Sequence, residues 1–132
     1  MKKLNGIIPV NIPKIFSYEK KLVNECLRTN WISSEGKFVN LFEKNFSSFN
    51  KRKFGIAVSS GTAALEIAVK SLNLKKNSEV LIPSFSIIST ANAVVKNNLK
   101  PVLIDCELYT WNINVDETIK KITKKTKAII IT

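Results

Sequence analysis

The chain has 132 residues, 45% of them hydrophobic and 23% charged, with a net charge of +11 and a pI near 9.8. That length suits one domain with a real core, and the composition excludes general disorder. No apolar run approaches the roughly 20 residues that span a bilayer, and the absence of histidine excludes a His-based triad or imidazole metal site in this chain.

The basic excess points first to nucleic acid, but its distribution argues against that partner. Arg28 and Arg52 are the only arginines, and arginine is the better reader of phosphates and base edges. The lysines are spread over helix faces and ends, and the dense run Lys120 to Lys127 falls at a helix C-terminus, where cations favour the dipole. The expectation is no nucleic-acid partner and no membrane. The start, Met1 to Gly6, has two lysines but no long apolar stretch, so no signal peptide is read and the cytoplasm is the default. Cys26 and Cys106 are far apart and in no metal-ligand spacing, which predicts two free, buried thiols and no metal.

In chain order, residues 4–16 read as an extended segment, because Pro9 and Pro13 block a helix. Ser17 is placed to cap a helix over about 18–28, with Leu22, Val23, Cys26 and Leu27 on its apolar face. The loop Thr29 to Gly36 follows. Trp31 there reads as a packing residue by default, but Ser33 and Ser34 beside it can bind a ligand's hydroxyls or phosphates. Phe38, Leu41, Phe42, Phe46 and Phe49 repeat at helical spacing and predict a second helix, about 37–49, with a core-facing stripe. Phe54 to Val58 reads as a short buried strand. The turn Ser59-Ser60-Gly61-Thr62 and a helix to about Leu72 come next.

Glu79 to Pro83 reads as a strand, 87–97 as a helix and Pro101 to Asp105 as another strand. Asn114 with Glu117 opens a helix over about 115–122. Lys127 to Thr132 is a final apolar strand. The order β-α-β-α-β-α-β predicts an α/β fold: a mainly parallel sheet with helices on both faces. Ligands of such sheets bind outside the C-terminal strand ends, where Ser59 to Thr62, Pro83 to Ile87 and Asp105 all fall. The helix opening at Gly61 would present free N–H groups and the positive dipole end, a phosphate site; a capping turn without a ligand is the simpler alternative. A buried-type strand at the very end predicts that the chain is an N-terminal fragment, with 1–16 as an extended segment and 17–132 as part of a larger α/β domain.

The motifs in order resemble one family. They are Asn24 to Val39, Ala57 to Leu65, Glu79 to Phe85, Thr90 to Val94, Pro101-Val102 with Asp105, Thr110 to Ile113, and Thr126 to Ile130. This set is similar to the DegT/DnrJ/EryC1/StrS sugar aminotransferases, most of all to perosamine synthase-like members. These are pyridoxal 5'-phosphate enzymes of fold type I. The resemblance implies amino transfer from an amino acid, usually glutamate, to a keto sugar nucleotide, in the making of cell-surface or secondary-metabolite sugars. It implies a homodimer when full length. It places Ser60, Gly61 and Thr62 on the cofactor phosphate, Ile87 (often an aromatic in the family) against the pyridine ring, and Trp31, Ser33 and Ser34 on the substrate side. The catalytic lysine and the acid of the pyridine nitrogen are expected downstream of Thr132. No catalytic residue is assigned within the chain, and Asp105 reads as a structural acid at a strand end. Two alternatives stay open: a sugar dehydratase of the same family, and a non-catalytic sensor or truncated protein.

Overall fold

Prolines govern the first stretch of the computed structural model, which describes Gly6 and residues 8–132: around Pro9 and Pro13, residues 8–16 form neither helix nor strand. The expected extended segment at residues 4, 5 and 7, and the lysine-bearing start at 1–5, lie outside the described residues. The chain divides into two compact units, one ending at Ala57 and the other comprising Val58–Thr132.

The first unit carries α1 (Ser17–Arg28) and α2 (Lys37–Phe49). The cap of α1 differs from expectation. Phe16 is the N-cap, Ser17 is already helical, and the Glu19 carboxylate folds back to accept the Phe16 backbone N–H at 2.9 Å. A first-turn acid thus satisfies the donor that a serine cap would have left open. α2 spans the predicted residues, but its aromatic stripe is not a core. Leu41, Phe42, Phe46 and Phe49 are exposed, Phe49 at 85%, and only Phe38 is half-buried. Periodicity marks which face is apolar; it does not supply an element to cover it, and no described element of this unit does so.

The segment at 54–58 is a second correction. It is extended but joins no ladder among the described residues, and Phe54 and Ile56 are exposed. Its Ala57 N–H donates instead to Glu43 Oε1 at 2.7 Å. Gly55 permits this approach, since a Cβ there would stand 2.7 Å from the Glu43 carbonyl oxygen. A side chain of α2 takes the place of a neighbouring strand.

The second unit holds α3 (Gly61–Ser71), β1 (Glu79–Pro83), α4 (Ser89–Lys96), β2 (Lys100–Ile104), α5 (Val115–Lys120) and β3 (Thr126–Ile129). The strands form a parallel sheet in the order β2-β1-β3, with β1 central and buried along its whole length. Continuous burial of a central strand is what a parallel sheet demands. Val80 and Ile82 join Val69 of α3, Ala93 and Val94 of α4, and Leu99 in one apolar cluster. Leu81 and Ile104 are buried as well. Asn114 caps α5 as predicted, its side-chain oxygen accepting the Glu117 N–H at 3.0 Å.

The start of β1 is fixed by charge. Glu79 is buried and accepts the Thr123 hydroxyl at 2.6 Å and the Lys100 ammonium at 3.3 Å. The Thr123 hydrogen bond first, and the Lys100 bond and charge after it, hold the Glu79 carboxyl below the usual carboxylate range.

Candidate functional site

Strand β1 ends at Pro83, β2 at Ile104, and α3 opens at Gly61. Ser60 is the N-cap of α3, with its hydroxyl accepting the Ala63 N–H at 3.2 Å. The first backbone bond of the helix runs from Ala64 N–H to the Ser60 carbonyl at 3.0 Å. The N–H groups of Gly61 and Thr62 therefore stand ahead of any intrahelical acceptor and face outward at the positive dipole end.

Gly61 is the informative residue. Its φ is not in the left-handed region, and a Cβ built on it would meet nothing within 4 Å. No fold requirement among the described residues calls for glycine there, although glycine at a helical position costs up to about 1 kcal/mol against alanine. The bare backbone leaves open space over two unpaired donors, which suits an anionic group approaching closely. The Thr62 hydroxyl lies 2.8 Å from that of Ser89, the first residue of α4, so the N-terminal ends of two helices meet at this turn. Sequence reasoning missed Ser89. A hydroxyl at a helix start was visible, but its partner 27 residues earlier was not.

Ile87 lies between β1 and α4 and is 68% exposed, which leaves its side chain free to pack on a planar ring. Asp105 behaves as a structural acid: its Oδ1 accepts the Cys106 N–H at 2.8 Å and, at 3.4 Å, the Ser84 hydroxyl. Phe85 and Trp111 pack with ring centroids 5.2 Å apart. Both cysteines are free, half-buried rather than buried. Among the described residues no acid or cysteine cluster could hold a metal, and no helix is long and apolar enough to cross a membrane.

Trp31, Ser33 and Ser34 belong to the first unit. The Trp31 indole covers Gly36, where a Cβ would stand 2.6 Å from its Cδ1, and it lines a depression with Cys26, Thr29 and Phe38. Packing therefore accounts for half of this tryptophan; the rest is exposed. Ser33 accepts the Gly36 N–H through its carbonyl at 3.4 Å, and Ser34 is exposed. Beside this loop, Lys37 pairs with Glu25 and holds its carboxyl below the usual range.

The comparisons with known proteins agree on one group. GDP-perosamine synthase of Escherichia coli is 38% identical over 123 residues, covering 93% of this chain and 34% of that protein. The enzyme of the same name from Vibrio cholerae is 36% identical over 124 residues, covering 94% and 34%. The chain thus spans about a third of the length of the curated relatives it matches. Among solved structures, an E. coli GDP-4-keto-6-deoxy-D-mannose-3-dehydratase with bound hydrated PLP superposes with a TM-score of 0.84 at 25% identity, over 93% of this chain and 33% of that one. The aminotransferase from Psychrobacter cryohalolentis gives 0.80 at 28%, over 92% and 31%. The family model of the DegT/DnrJ/EryC1/StrS aminotransferases matches residues 13–132, and the chain belongs to that family.

Proposed function

We propose that the chain is the cofactor-phosphate part of a pyridoxal phosphate-dependent sugar aminotransferase, which moves an amino group from an amino acid, usually glutamate, onto a keto sugar nucleotide. The observation that carries this is Gly61: a glycine without a conformational or packing need among the described residues, at the head of a helix whose first two N–H groups have no partner among them. Ser60, whose hydroxyl caps the helix, holds the phosphate together with Gly61 and Thr62, and Ile87 packs against the pyridine ring. Trp31, Ser33 and Ser34 serve the substrate side. When bound, the cofactor supplies the electron sink for amino transfer; this chain's residues hold and orient it. We assign no catalytic lysine among these residues. Residues 17–132 form part of a larger cofactor-binding domain, and the whole protein acts as a cytoplasmic homodimer.

The dehydratase alternative draws on the fold likeness to a GDP-4-keto-6-deoxy-D-mannose-3-dehydratase at 25% identity. The 36–38% identity to perosamine synthases favours amino transfer.

The test separates phosphate recognition from general stickiness. Pyridoxal phosphate itself reacts with surface lysines, so the probes are 4-deoxypyridoxine 5'-phosphate and 4-deoxypyridoxine, which lack the aldehyde. The chain should prefer the phosphorylated probe, and Gly61→Ala should weaken that probe about tenfold or more, as expected for lost hydrogen bonds to a charged group. Its folding stability should be unchanged or raised by up to about 1 kcal/mol. Equal affinity for both probes would end the phosphate assignment.

A further inference from the structure

We propose that Ser89 is a positioning residue for the phosphate end of the cofactor, acting through Thr62; this rests on the pyridoxal phosphate reading above. The Thr62 and Ser89 hydroxyl oxygens are 2.8 Å apart, and either can donate. A hydroxyl has one proton to give and two lone pairs to accept with. When Thr62 gives its proton to Ser89, none is left for a ligand. With an anion over the turn the favoured arrangement reverses: Ser89 donates to Thr62, and Thr62 donates to the anion. Each bond of that chain polarises the next, and the last is strengthened by the charge of its acceptor. The contact also holds Thr62 in one rotamer before the ligand arrives, which removes an ordering cost from binding.

Ser89 is free to serve this role because other groups hold the two helices together. Where the C-terminal end of α4 meets the middle of α3, the Asn97 side-chain amide donates to the Glu66 carbonyl at 3.1 Å and to the Ala93 carbonyl at 2.8 Å. Lys96 pairs with Glu66 beside it. Val69, Ala93 and Val94 share the apolar cluster beneath. The neighbouring hydroxyls Ser86 and Thr90 face each other at 3.3 Å, which leaves Ser89 to Thr62.

The experiment measures calorimetric binding of 4-deoxypyridoxine 5'-phosphate and of 4-deoxypyridoxine to the chain and to Ser89→Ala, Ser89→Thr and Thr62→Val. Ser89→Ala should lose about three- to tenfold in affinity for the phosphorylated probe, the size of one modest hydrogen bond, and nothing for the other. Ser89→Thr, which keeps the hydroxyl, should stay within about twofold of the parent. Full affinity in Ser89→Ala alongside a loss in Thr62→Val overturns the Ser89 assignment and leaves the phosphate site standing. An equal loss for both probes in Ser89→Ala also overturns it, because the residue is then only structural. If the parent chain does not discriminate the probes, the phosphate reading fails and the Ser89 role falls with it.

Discussion

Helices α2 and α3 have similar lengths and both carry apolar faces, yet they stand in opposite situations. α3 packs against α4, its Val69 shares one buried apolar cluster with Val80 and Ile82 of β1, and its exposed end is small and polar. α2 carries four large apolar residues that are exposed, and its one buried residue is Ser47. An apolar stripe is a property of a sequence, whereas a core needs a second surface to close on it. The contrast can be broken by mutation. Ile82→Ala should cost about 2–5 kcal/mol in a denaturant titration. Phe46→Ala, despite removing more atoms, should cost under about 1 kcal/mol, chiefly its stacking on Phe42 at a centroid distance of 5.5 Å. Equal costs would show that both stripes are cores.

The same contrast explains what the sequence could and could not disclose. The second unit was legible where one signal sufficed. Pro83 ends β1, Asn114 caps α5, and the small residues at 60–62 open α3. The segment at 54–58 was not, because five apolar-rich residues predict extended backbone equally well with or without a partner strand. The bond from Ala57 to Glu43 spans 14 residues and follows from no local pattern. Ser89 was missed for the same reason. Helix ends carried an unused signal: the residue after the C-cap is left-handed in α1, α2, α3 and α4, at Asn30, Lys51, Asn73 and Asn98. In a chain with four glycines, asparagine does the work glycine usually does at three of these four ends.

Two smaller effects sharpen the comparison between the units. Glu79 and Glu25 both have lowered pKa values, so each favours the fold above the unfolded carboxylate range and loses that contribution as pH falls through its folded value. Both lysine partners are exposed, but the Glu79 side chain is only 9% exposed and also accepts the Thr123 hydroxyl, whereas the Glu25 side chain is 31% exposed. Glu79→Gln should therefore flatten the acid limb of stability against pH, and Glu25→Gln should change it far less. A matching change in both would remove the distinction. The smallest effect is at Lys51, whose φ of 52° suits glycine better. Lys51→Gly should stabilise by up to about 1 kcal/mol, read as a shift in unfolding midpoint. Destabilisation there would mean that the lysine side chain matters more than its backbone strain.

The phosphate turn is tested most directly by backbone amide chemical shifts. A titration with 4-deoxypyridoxine 5'-phosphate should move the Gly61 and Thr62 amides furthest, with Ser89 following, and 4-deoxypyridoxine should leave them in place. Shifts scattered over the lysine-rich surface, with Gly61 and Thr62 unmoved, would contradict the assignment of this turn to a cofactor phosphate.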